Sequence, residues 1–190
     1  MPRDQAAPWA GPEAWARVWR NLQAELGACG PGRARLAALA DEAARALAAT
    51  FPLLDRLTPA TCPVCREVCC QKARVVATSR DLLFFAAAGL PPPPAQLRDR
   101  LSQPCRHLGP TGCRLPRLSR PFLCNWWLCP ALGQLLRGEP EHQRRGFRQG
   151  LVTANRALLT LEQVFTARPG AGDRPPWDAP DPPPAGAGGR

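Results

Sequence analysis

Eight of the nine cysteines in this 190-residue chain lie between positions 62 and 129, and only Cys29 stands outside. They fall into two groups: Cys62, Cys65, Cys69 and Cys70, then Cys105, Cys113, Cys124 and Cys129. Thiolates are soft donors that suit zinc, cuprous ion and iron–sulfur clusters. Two thiolates with two residues between them reach one metal because the intervening turn points both sulfurs inward, and Cys62–Cys65 has that spacing. Cys69 and Cys70 are adjacent, so their side chains diverge in most backbone conformations. One then serves a first metal while its neighbour serves a second or packs. Four thiolates complete a tetrahedral zinc site or an iron–sulfur cluster, a four-iron, four-sulfur cluster included. Eight permit two sites, and seven leave room for sharing or an open position. All eight cysteines are candidate ligands.

Other chemistry finds little support. His107 and His142 are the only histidines and lie 35 positions apart, too far for a two-Cys, two-His finger. His107, two residues past Cys105, is the one histidine near a candidate ligand. Gly30-Pro31-Gly32 has neither the preceding strand nor the third glycine of a nucleotide loop. No Cys–His nucleophile pair is defined, so catalytic residues are unassigned.

The elements that must position these thiols read as helices. Pro12 suits a helix first turn, and Trp15, Val18, Trp19, Leu22 and Leu26 follow as an apolar stripe. Gly27 or Gly30 with Pro31 stops it, with Cys29 in the stop as a small half-buried residue. A second helix is expected from about Arg33 to Thr50, with Leu36, Leu39, Ala40, Ala43 and Leu47 on one face. Phe51-Pro52 ends it, because the residue before proline avoids the helical region. The two helices suggest an antiparallel hairpin. Residues 52–61 read as a connector and residues 73–77 as a short extended piece. Thr78 or Ser79 caps a helix through Phe85 that ends at Gly89. Pro91–Pro94 read as a polyproline spacer, with a short helix around Ala95–Leu101 after it.

From Cys105 to Pro130, turn formers and cysteines alternate too densely for long elements. Gly109-Pro110-Thr111-Gly112 is a turn able to bring Cys105 and Cys113 together. Ala131–Arg137 fits one or two helical turns. Phe147, Leu151, Ala154, Leu158, Leu161 and Phe165 then mark an amphipathic helix over about Glu141–Ala167, long enough to lid the cysteine region. The Pro-, Gly- and Ala-dominated end, Pro169–Arg190, reads as a disordered tail. The expected fold is mainly α: a small helical domain around an irregular cysteine-rich core. The parts are a helical hairpin (1–59), the metal-binding core (60–130), a helix packing on that core (131–168) and the tail (169–190).

The formal charge of +10 raises nucleic acid as a partner, but nearly all the basic residues are arginine, with Lys72 the only lysine. Abundant Ala, Gly and Pro beside them fit a coding bias, and metal-bound thiolates subtract further positive charge. The expectation is against nucleic acid, with another protein left as a partner. No apolar window of membrane-spanning length is present. Met1-Pro2-Arg3-Asp4-Gln5 lacks the apolar core of a secretory signal. A cytoplasmic, reducing location is therefore expected, where metal ligation explains an odd number of cysteines better than disulfides do.

The cysteine motifs resemble those of the YkgJ-type cysteine-cluster family, a bacterial zinc- or iron-chelating domain. Its members carry a Cys-x-x-Cys-x-x-Cys-Cys group, then a Cys followed by Leu, a Gly-Cys pair and an Arg-Pro-x-x-Cys segment. Here these correspond to Cys62, Cys65, Cys69 and Cys70; Cys105 with Leu108; Gly112-Cys113; and Arg120-Pro121-Phe122-Leu123-Cys124. The resemblance covers roughly residues 60–130. The first group is one residue longer than the family pattern. Pro116 replaces a Tyr-like position, Asn125-Trp126-Trp127 replace basic and aromatic residues, and Cys129 is additional. The resemblance implies a metal site more than a reaction. Its cysteine core is similar to that of bacterial flagellin lysine methylases, which implies an iron–sulfur-dependent protein-modifying enzyme as one alternative. A zinc-scaffolded nucleic-acid binder is another. Arg120 is expected to donate to a thiolate or nearby carbonyls and offset charge, while Trp126 and Trp127 shield the site from water.

Overall fold

The computed structural model describes residues 5–65 and 68–168, without the side chains of Cys69 and Lys72. Within them the protein is mainly α. Helix α1 (Pro12–Gly27) opens with proline in its first turn and buries Trp15, Val18, Leu22 and Leu26. Helix α2 (Gly32–Ala48) buries Leu36, Ala40, Ala43 and Leu47. These are the stripes that the 3.6-residue period marks out.

The stretch read as a connector is helical instead: α3 runs Phe51–Thr61 and buries Leu53, Leu54, Leu57 and Thr61. Pro52 lies in its first turn, where the missing N–H costs nothing. Proline here separates α2 from a new helix rather than ending helical structure. A one-turn helix α4 (Cys69–Lys72) follows, then α5 (Ser79–Ala87). Thr78 accepts from the Asp81 amide and the Asp81 carboxylate accepts from Thr78, a capping box. Gly89, at φ +66°, ends this segment in the left-handed conformation.

Residues 95–101 do not form the expected helix. The buried Gln96 amide takes over backbone pairing there, accepting from the Ala77 and Leu97 amides and donating to the Pro8 and Ala77 carbonyls. One side chain thus ties the leading segment, residue 77 and residues 96–97 together. The polyproline stretch is fixed by Trp15, whose Nε1 donates to the Pro93 carbonyl at 3.0 Å.

Two short strands, β1 (Leu108–Gly109) and β2 (Gly112–Cys113), pair antiparallel around the expected turn. Helices α6 (Phe122–Trp126), α7 (Pro130–Gly138) and α8 (Glu141–Thr166) complete the chain. The two N-terminal helices find their main partners elsewhere than in each other: α1 lies on α5, and α2 lies along α8. Gly150 permits that last approach. A Cβ on it would stand 2.7 Å from Thr50 Cγ2 and 2.9 Å from the Ala46 carbonyl oxygen. All six stripe residues of α8 are buried, against α2 and α5. Helix α8 therefore builds the core and supplies no wall of the cysteine cleft. The expected tail, Pro169–Arg190, lies outside the described residues. No described helix is long and apolar enough to cross a membrane.

Candidate metal centre

The cysteine groups meet through backbone bonds before any sulfur is considered. Cys62–Val64 form a single 3-10 turn in which the Cys65 amide donates to the Cys62 carbonyl, the turn that a two-residue spacing needs. The Cys105 amide donates to the Cys70 carbonyl at 2.9 Å and locks the second group onto the first. The β1–β2 hairpin returns Cys113 towards Cys105. Cys62 packs there too, its Cβ 3.8 Å from where a Gly112 side chain would begin.

Cys124 arrives by a different route. The Asp81 carboxylate accepts from the Phe122 amide at 2.7 Å while its other oxygen completes the capping box of α5. One carboxylate thus starts two helices and sets α6, with Cys124 in its first turn, against the apolar frame. Burial holds the Asp81 pKa above the ordinary carboxylate range, against these donors and Arg80. Arg117 braces the same region from outside, with an ion pair to Asp55 of α3 and a bond to Thr58 Oγ1.

The result is one cleft of about 540 Å³ whose walls include Cys62, Cys65, Cys70, Cys105, Cys113, Cys124 and Cys129. Of the eight expected ligands, only Cys69 is missing from that wall, and its side chain is outside the described residues. Cys29 stands apart, donating to the Glu25 carbonyl within α1. No disulfide joins the described cysteines. Cys105, Cys113 and Cys124 are close enough to act on one another electrostatically. The Cys105 thiol is raised by burial and then by Cys113, with the His107 amide, Arg98 and Arg106 opposing. Burial pushes Cys124 up to about 12, helped by Cys113, Cys105 and Asp81 and opposed by Arg120. Cys129 Sγ accepts from the Leu132 amide at 3.4 Å and caps α7, so this sulfur has a structural task at the cleft edge.

Among the described residues, no three Cys, His, Asp or Glu side chains stand close enough together to form a metal-binding group as they are. The cleft gathers thiols without closing them into a coordination shell. Its donor set nevertheless fits a thiophilic metal. Two residues on its wall also carry buried polar atoms without a partner, Arg98 Nε and Asn125 Oδ1. Such atoms are uncommon in a protein interior, and His107 Nε2 and Arg144 Nε, away from the cleft, are in the same condition.

Several expected neighbours take other places. Arg120 donates to the Leu115 and Cys113 carbonyls, the carbonyl role foreseen for it. Trp127 lines the cleft but is half exposed, and Trp126 does not line it, so the tryptophans do not seal the site. His107 is buried off the cleft, and burial first, then Arg106 and Arg114, lower its pKa against a bond with Ala95. Arg98, buried on the cleft wall, carried no sequence signal that separated it from the other arginines. Many of those pair with acids across elements: Arg56 with Glu139, Arg80 with Glu162, Arg168 with Glu25.

Comparison with protein-family models, with curated proteins and with solved structures found no match to this chain. The likeness to the YkgJ-type family rests on the cysteine motifs quoted above.

Proposed function

We propose that this protein binds a thiophilic metal, as zinc or as an iron–sulfur cluster, in the cleft between its two cysteine groups. The observation that carries the reading is the convergence of seven cysteines, brought from positions 62 to 129, on one cleft. Packing alone does not explain them, because every one is only partly buried. Cys105, Cys113 and Cys124 act on one another, and Cys62 packs beside Gly112. These four are the set we assign to the first metal. Cys65 and Cys70 lie beside them for a second position, and Cys129 stands at the rim. Closing the shell requires the hairpin and the Cys62–Cys65 turn to draw inward on binding.

Volume favours the cluster over a lone ion. Thiolates sit about 2.3 Å from zinc, so one tetrahedral ion takes up little of a cleft this size. An iron–sulfur cluster takes the same four thiolates but, with its own irons and sulfides, fills more space. Thiolates of this kind persist in a reducing compartment, and we place the protein in the cytoplasm on that ground. The nucleic-acid alternative loses ground as arginines are taken up in ion pairs, although such surface pairs add only about 0–1 kcal/mol each.

Metal analysis with an absorption spectrum, both on anaerobically purified full-length protein, tests the reading. A brown protein containing iron and sulfide identifies the cluster, and a colourless one with stoichiometric zinc identifies the ion. A protein that carries neither metal, and takes up neither on anaerobic reconstitution, refutes the proposal.

A further inference from the structure

Arg98 is among the largest fully buried side chains of the molecule, with 2% of its surface exposed. Nη1 donates to the Gln103 carbonyl at 2.7 Å and the Leu101 carbonyl at 3.4 Å, and Nη2 to the Cys70 carbonyl at 3.4 Å. Nε is buried with no partner. Carbonyls satisfy hydrogen bonds but do not neutralise charge. A buried cation without a counter-ion is unfavourable, which is why such groups are almost always paired.

No described carboxylate pairs with Arg98. Asp99, its neighbour, is half exposed and pairs with Arg106. Asp81 is taken up by Thr78 and the Phe122 amide. What Arg98 does face is the cysteine cleft. It holds the carbonyl of Cys70 from one group and that of Gln103, two residues before Cys105, from the other. It also acts electrostatically on Cys105. Arg120, on the same cleft wall, bonds to the Leu115 and Cys113 carbonyls and acts on Cys124, so it reaches the second cysteine group alone.

We propose that Arg98 is a counter-charge of the cysteine centre, the buried one that bridges both cysteine groups, placed between Cys70 and Cys105 to offset thiolates that outnumber the positive charge of the metal. The centre it serves is anionic, such as four thiolates on a divalent ion or a cluster of net negative charge. Arg98 is a positioning residue: it touches the loops that carry the ligands, and its charge acts on their sulfurs. This inference rests on the metal reading above.

The test uses the full-length metal-free protein with Co(II) as an anaerobic probe, whose sulfur-to-cobalt absorption counts bound thiolates. In the wild type, three or more thiolates per ion are expected; two or fewer leave no excess negative charge and overturn the inference. Arg98→Gln should weaken Co(II) binding by about 10- to 100-fold, the usual range for a second-layer partner. Arg98→Lys, which keeps the charge but not the planar fork, should recover most of that loss. Equal losses in both variants assign Arg98 to hydrogen bonding alone and overturn the charge role, as does unchanged affinity in Arg98→Gln. If Arg98→Gln does not fold, Arg98→Lys decides: Co(II) affinity close to wild type supports the charge role, and a loss of about 10-fold or more overturns it. Failure of the metal reading looks different: the wild type itself then takes up no Co(II).

Discussion

Along α8, Phe147, Leu151, Ala154, Leu158, Leu161 and Phe165 are all buried. Between Cys105 and Cys124, a stretch of similar length, only His107, Leu115, Ser119 and Pro121 are. The first region belongs to a frame of α1, α2, α5 and α8 held by apolar contact, where a fully buried Leu or Phe contributes about 1.5–3 kcal/mol. The second has no core of its own. It is held to its surroundings by Leu118 and Phe122, which pack against the core, by Asp81 accepting from the Phe122 amide and by Arg117 pairing with Asp55, while Cys105 to Cys70 and Arg98 tie its two cysteine groups together. The frame is closed by its own apolar contacts. The cysteine region keeps partly exposed thiols and two unpartnered polar atoms on its cleft wall, and on the proposed reading a metal completes it.

That contrast can be broken from either side, and the largest effect should come from the frame. Phe165 is fully buried, so Phe165→Ala should cost about 3–5 kcal/mol. The loss, read by urea denaturation, should be the same with and without metal. A loss that metal largely rescues would mean that the frame depends on the centre.

Asp81 sits on the seam. Asp81→Ala removes a cap and leaves the buried Phe122 amide unpaired, at a combined cost of about 2–3 kcal/mol. It should weaken metal binding as well, because α6 carries Cys124. An unchanged metal affinity, measured by chelator competition, would separate the seam from the site.

The metal-free protein should show a smaller effect set by pH. Cys124 holds its proton up to about 12 in the folded state, against 9.0 ordinarily. Its contribution is thus fully present below the unfolded value and is lost as pH rises towards the folded one. The urea midpoint should fall between pH ~9 and ~12, and fall less in Cys124→Ala. The same slope in both would remove Cys124 from the account.

Cys29→Ser should do least. It leaves metal content unchanged and alters stability by no more than about 0.5 kcal/mol, as for substitutions away from critical features. A loss of metal would enlarge the site beyond the cleft.

The frame was largely legible because periodic apolar spacing is local. The stripes of α1, α2 and α8, the Thr78 cap and the turn at residues 109–112 all follow from neighbours in sequence. Helix α3 was missed because Phe51-Pro52 signals both a stop and a start, and only the buried Leu53, Leu54 and Leu57 decide between them. The helix expected over Ala95–Leu101 failed because Gln96 pairs with residues 19 and 88 positions away. In the site, residue type revealed the thiols, but not which of them meet. That depends on Asp81, Gln96 and Arg98, long-range ties whose residue types are unremarkable until the chain has folded around them.

The most direct measurement of the central claim is metal content in three anaerobically purified proteins: wild type, Cys124→Ser and Cys29→Ser. The account predicts stoichiometric zinc or iron in wild type and Cys29→Ser, and loss of it in Cys124→Ser while the helical signal of the frame persists. Full metal content in Cys124→Ser, or none in the wild type after anaerobic reconstitution, would contradict it.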